Sequence, residues 1–223
     1  MTDKGNVSQN SAMLTPGVGS SYSNGWRRLW KYFLELFLIF IIYAVVSSPS
    51  WTLEQTTDGV STGDVFLSIV FFAYGLLLLG PIEYGVAFAN LKAARGEKPQ
   101  VIDMFAAFKN YWNAVLANLL VGAIVVIGLV FLIIPGIIFA CKLAFTPYLV
   151  VDKKMEVVEA VRESWRMTNG HGWKVFFIGL LAIFIFIAGA ICFGVGIIVA
   201  FMWITIALAS LYHAVSLKTE ASR

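Results

Sequence analysis

Residues 113–134 read NAVLANLLVGAIVVIGLVFLII, and residues 137–151, just after Pro135-Gly136, read IIFACKLAFTPYLVV. The first run has no charged residue and the second has one, Lys142. Lipid offers no partner to a backbone amide, so a crossing segment must be helical and needs about 20 mostly apolar residues. The two runs therefore predict a pair of membrane spans joined by a tight turn at Pro135-Gly136. The second run is short for a full crossing, which calls for little tilt, a thinned bilayer or shelter from neighbouring helices.

The same pattern recurs on both sides. Residues 29–48 and 65–89 give two earlier spans, the second with a kink expected at Gly80-Pro81 because proline lacks an amide hydrogen. The apolar region 174–215 is too long for one helix and divides near Gly194-Val195-Gly196, giving spans of about 174–193 and 197–215. The expected fold is all-α: a polytopic transmembrane helical bundle of about six spans. Residues 1–25 read as a disordered N-terminal tail, 26–215 as the transmembrane helical domain and 216–223 as a C-terminal tail. No apolar core of signal-peptide length stands in residues 1–25.

Lysine and arginine favour the cytoplasmic side of a membrane. With six spans, fifteen of the sixteen basic residues fall on one face, Lys142 being the exception. The loop 49–64 carries Glu54, Asp58 and Asp64 but no cation. This predicts a multi-pass protein of the cell membrane with both termini cytoplasmic.

Two loops on the basic side are more than connectors. In VIDMFAAFKNYW, 101–112, the residues Val101, Phe105, Phe108 and Trp112 recur at helical spacing. In MEVVEAVRESWRMTN, 155–169, Val157 or Val158, Val161, Trp165 and Thr168 do the same, opposite Glu156, Glu159, Glu163 and Arg166. Both read as amphipathic helices lying in the headgroup region. They also open a weak repeat: Lys98–Asp103 resembles Lys154–Glu159, Trp112 corresponds to Trp173, and Pro135-Gly136-Ile137-Ile138 to Val195-Gly196-Ile197-Ile198. Either a surface helix plus membrane hairpin is used twice, or similar composition has converged.

Composition excludes several function classes. Charged residues are 13% of the chain, against about 25% in soluble domains, too few to cover a water-exposed surface. A net charge of +3, spread along the chain, gives no footprint for nucleic acid. Cys141 and Cys192 lie in apolar runs and read as small hydrophobes, and His171 and His213 form no metal-ligand cluster with them. No cofactor is expected.

The segment from Pro135 to Trp173 resembles a group of bacterial multi-pass membrane proteins related to the membrane domain of glycerophosphoryl diester phosphodiesterases. The resemblance is carried by Pro135-Gly136-Ile137, Lys142, Pro147-Tyr148, Asp152, Glu159-Ala160, Ser164-Trp165-Arg166, Thr168, Gly170 and Trp173. Arg95-Gly96-Glu97 and Asp103-Met104-Phe105 fit the same pattern. It implies a fold and a membrane location. The phosphodiesterase activity of such proteins belongs to a separate soluble domain, and the residues outside the spans here are too few to form one.

A charge in a span costs roughly 2.5–3.5 kcal/mol at mid-helix, so each asks for an explanation. Counted from the basic side, Glu83 and Lys142 lie at similar depth, which makes them a candidate intramembrane ion pair. The alternatives for Lys142 are snorkelling toward an interface or lipid phosphate, or a substrate or proton site. Glu35 reads as an i,i+4 partner of Lys31, and Trp26, Trp30, Tyr32, Trp51, Tyr111, Trp112 and Trp173 as interface anchors. Asn118, Thr146, Thr205 and His213 read as residues that bond across helices or to their own backbone. There is no paired-acid site, activated nucleophile or metal motif, so the chain is expected not to be an enzyme. The leading reading is a membrane scaffold that binds lipid or a membrane-protein partner. The alternative is a small-solute transporter or channel using Glu83 and Lys142.

Overall fold

A computed structural model of the protein describes residues 15–48, 62–191 and 195–221, and these are helical almost throughout. The helices are α1 (Val18–Lys31), α2 (Phe33–Ser47), α3 (Thr62–Tyr74), α4 (Gly80–Arg95), α5 (Tyr111–Phe131), α6 (Ile133–Leu143), α7 (Thr146–Asp152), α8 (Val157–Thr168), α9 (Gly172–Ile191) and α10 (Val195–Ala221). A π-helical turn, Gly75–Leu79, joins α3 to α4, and a 3₁₀ segment, Val101–Asn110, leads into α5. The all-α bundle is as expected. Among the described residues, five helical stretches are long and apolar enough to cross a membrane, and α1 with α2 adds a sixth if that pair, bent by 92°, is one broken span.

Several boundaries differ from expectation. Residues 18–25 are part of α1, whose Tyr22 and Asn24 are buried, so helix replaces tail there; residues 1–14 lie outside the described ones. The tail expected from residue 216 is the end of α10, which runs on to Ala221. The helix expected over 29–48 is interrupted at Tyr32, so its apolar part is α2 alone and a first span requires the bent α1–α2 pair. That bend also removes the Lys31–Glu35 pair: Glu35 meets Lys98 at 3.1 Å, while Lys31 lies over the Tyr32 ring. Tyr32 itself is buried, its hydroxyl donating to the Gly96 carbonyl, so it is no interface anchor.

The turn expected at Pro135-Gly136 falls at Leu132, whose backbone is extended, and both residues lie in the first turn of α6. Proline is tolerated there because first-turn amides have no helical partner. Glycine serves close approach: a Cβ on Gly136 would come within 2.8 Å of the Leu129 backbone nitrogen, and one on Gly128 within 3.0 Å of the Gly136 Cα. The α9–α10 hairpin uses the same device, since a Cβ on Gly189 would lie 2.7 Å from the Gly196 carbonyl oxygen. Each hairpin follows a shorter helical segment, Val101–Asn110 or α8. The proposed repeat thus has a counterpart in the order of elements and in their glycines. Cys192 and Gly194 lie outside the described residues.

The two amphipathic segments are both helical. In the first, Phe105, Phe108 and Trp112 point outward while Asp103, Met104 and Ala107 are buried. In α8, Val158 and Trp165 are exposed, but Thr168 belongs to the inner face with Ala160, Ser164 and Met167. Inward packing of small residues, rather than an apolar stripe, orients this helix.

The core lies at the charged end of the bundle. Leu29, Leu91, Phe145, Leu149, Ile206, Leu211 and Tyr212 are fully buried there. Arg95 forks onto Asp152 with two bonds of 2.7 Å, tying α4 to α7, and Lys92 meets Asp103 at 3.0 Å. Asn24 donates to the Ala94 carbonyl and to Ser210, holding α1 across α4 and α10. Toward the uncharged end the apolar side chains of Phe66, Phe72, Val130, Phe131, Ile133, Phe184 and Ile191 are exposed, as lipid-facing residues must be.

The tightest backbone contact lies where α4 crosses the 3₁₀ segment. A Cβ on Gly85 would fall 1.7 Å from the Met104 carbonyl oxygen. Gly85→Ala is expected to force the two elements apart and destabilise the protein by on the order of 3 kcal/mol, read as a lower midpoint of unfolding in detergent.

Candidate functional site

Helix α6 stops at Leu143, and after Ala144 and Phe145 the chain restarts as α7 with Pro147 in its first turn. Proline removes a helical hydrogen bond and leaves carbonyls upstream without partners. The Lys142 carbonyl accepts from the Ser164 hydroxyl at 2.9 Å, and the Phe145 amide donates to Ser164 at 3.2 Å. The single Thr168 hydroxyl proton has the Ser164 carbonyl at 2.8 Å, the Trp165 carbonyl at 3.0 Å and the Lys142 carbonyl at 3.1 Å as acceptors. Ser164 thus caps the broken end of α6, with Thr168 beside it. The same contacts fix where the Lys142 side chain can go.

That side chain leaves the bundle interior for the α8–α9 turn. Its ammonium donates to Asn169 Oδ1 at 2.5 Å and lies 5.5 Å from the Trp165 ring centre. Its Cε is 4.0 Å from where a Gly172 Cβ would be, so it stands level with the start of α9. Beyond it opens a cleft of about 590 Å³, lined by Ile134, Ile137, Ile138 and Cys141 of α6, by Thr168 and Gly170, and by Trp173 and Phe176 of α9. The wall is apolar and the cation stands at its head.

Glu83 is elsewhere. Its carboxylate accepts from the Tyr43 hydroxyl at 2.9 Å, linking α4 to α2. Among the described residues no ion pair joins it to Lys142. Similar depth does not place two side chains on facing sides of their helices. Ile133–Asp152 still serves as one candidate span, but the Lys142 side chain is turned toward α8 and the start of α9, whereas Glu83 is turned toward α2.

Of the remaining polar residues, Thr205 bonds to the Phe201 carbonyl of its own helix, as expected, whereas the buried Thr146 hydroxyl has no partner. His213 is buried in α10 near the Arg95–Asp152 pair. His171, in the α8–α9 turn, is held below the usual imidazole range by burial and by Lys174 and Lys218, against the opposing contact with the Asn169 carbonyl. These effects favour the neutral imidazole.

Several residues that carried the resemblance gather around these features: Lys142, Thr168, Gly170 and Trp173 at the cleft, Ser164 at the capped break and Asp152 at the Arg95 fork. Residues 121–218 match the family model for the membrane domain of glycerophosphoryl diester phosphodiesterase. The match runs from α5 into α10 and takes in the whole cleft, the capped break and Asp152, leaving Glu83 and Arg95 outside. Likeness to this membrane domain concerns a fold and a place, and brings no activity with it. No curated protein and no solved structure matches the chain. The protein is a multi-pass membrane protein.

Two double-mutant cycles separate the expected pair from the observed one. Alanine replacements at Glu83 and Lys142 should add to within about 0.5 kcal/mol, whereas Arg95 and Asp152 should couple by roughly 1–3 kcal/mol, measured by reversible unfolding in mixed micelles.

Proposed function

We propose that the protein is a non-catalytic membrane protein whose α6–α9 cleft holds a lipid acyl chain. The observation that carries this reading is an apolar cleft, open to the side, on helices that otherwise present apolar side chains outward. A cavity so walled offers dispersion contacts and little else. The transporter reading, which paired Glu83 with Lys142 across a pathway, loses its motivation because the two have separate partners. The partner implied is the bilayer itself, with no nucleic acid and no cofactor.

A phospholipid with a photoreactive diazirine near its chain terminus tests the cleft. Cross-links should concentrate on Ile134, Ile138 and Phe176 and fall several-fold in Ile138→Trp, which fills the space. Labelling spread evenly over the exposed faces of α3, α5 and α9 would sink the reading.

The charged end, where Lys92, Arg95, Lys153 and Arg166 collect, is proposed to face the cytoplasm of a cell membrane, in accord with the preference of basic loops for that side. In a variant with both cysteines replaced by serine, Thr56→Cys should react with a membrane-impermeant thiol reagent on intact cells. Lys109→Cys should react only after permeabilisation, and the reverse pattern would invert the topology.

A further inference from the structure

We propose that the bound lipid is an anionic phospholipid, its phosphate seated on the Lys142 ammonium and one chain lying along Ile134, Ile138 and Phe176. This rests on the acyl-chain reading and adds the headgroup.

Charge is the first argument. The ion pairs among the described residues neutralise Lys92, Arg95, Lys98, Lys153 and Arg166, and Lys174 donates to the Pro16 carbonyl at 2.7 Å. Lys142 is in none of those pairs. Asn169 and the Trp165 face orient its cation without cancelling it. A whole positive charge therefore stands at the mouth of an apolar cleft, where a charge-assisted bond to phosphate gains more than it would in water.

Space is the second. Gly170, at φ +76°, has nothing within 4 Å of where its Cβ would be, and Gly172 has only the Lys142 stem. The mouth is thus bordered by bare backbone on the α8–α9 side. Trp173 lines the cleft and Trp165 lies against the ammonium, and both are exposed, as indoles that sit among headgroups are. Along α6, the eight helical steps from Ile134 to Lys142 span about 12 Å, a length along which a chain can lie.

The two features together select the ligand. Free phosphate would satisfy the cation and leave the apolar wall unused. A zwitterionic lipid would bring its own ammonium close to Lys142, whereas a phosphatidylglycerol-like lipid brings none.

Native mass spectrometry of the full chain, loaded from equimolar phosphatidylglycerol and phosphatidylcholine of matched chains, provides the test. The wild type should retain the anionic lipid with roughly tenfold preference, the ratio expected when the choline ammonium is repelled by the Lys142 cation at a range of a few ångströms. Lys142→Gln should bring the ratio near one, Lys142→Arg should keep it, and Lys109→Gln, on the exposed basic rim, should not change it. Asn169→Asp retains the lysine but supplies an internal carboxylate, and should also abolish the preference. This keeps the test decisive should Lys142→Gln misfold. An unselective wild type would overturn the proposal, as would preference surviving in both Lys142→Gln and Asn169→Asp. Stabilisation of the lipid-stripped protein by inorganic phosphate, lost in Lys142→Gln and with no lipid preference, would assign the cation to a free anion instead. Cleft cross-linking by the diazirine lipid that persists in Lys142→Gln while selectivity is lost supports the headgroup assignment. Absence of cleft cross-linking in the wild type brings down the acyl-chain reading, and this proposal with it.

Discussion

A backbone carbonyl in or near a bilayer must be given a partner, and the Lys142 carbonyl receives the Ser164 hydroxyl of α8. Much of the architecture follows from that requirement. The local break between α6 and α7 is satisfied in this way, so that Ile133–Asp152 serves as one span whose α6 half walls the cleft and whose α7 half is buried in the core. Ser164 and Thr168 consequently face inward, and they fix the roll of α8. That roll in turn sets Trp165 beneath the ammonium and Asn169 beside it.

The charged end is held together differently. The forked Arg95–Asp152 contact lies among fully buried side chains, where a lone charge would be costly and a satisfied pair fixes orientation. Tyr212 lies against the Tyr148 ring, and its hydroxyl is 3.5 Å from Asp152. Three helices thereby meet at one polar point inside an apolar core. Specific packing is concentrated here, and the lipid-facing ends of α3, α5 and α9 contribute little to it.

Helix class and span number were legible from hydropathy, because the bilayer admits few alternatives. Charge placement likewise singled out the loops that build the packed end. What hydropathy could not show was the side of the helix from which each charge projects. Glu83 and Lys142 were matched by depth alone, and their side chains meet different partners, Tyr43 and Asn169. The signal for the local break was present in Thr146-Pro147, and the Ser164 that caps it was among the residues quoted for the resemblance. Nothing in a single sequence paired Ser164 with a carbonyl twenty-two positions earlier. The bend at Tyr32 was hidden for a similar reason, since it answers to Gly96, a partner remote in sequence.

The exposed tip of the α5–α6 hairpin, Val130 to Ile134, holds no polar side chain. Ion pairs and capped ends hold the opposite end of the bundle, so only one membrane face grips the protein firmly through this hairpin. At the other face the tip has no headgroup contact to lose. The hydrocarbon layer can therefore thicken or thin by a few ångströms around it without breaking a hydrogen bond, at the modest elastic cost of mismatch. The hairpin is in that sense a one-sided anchor, tolerant of the membrane in which it finds itself.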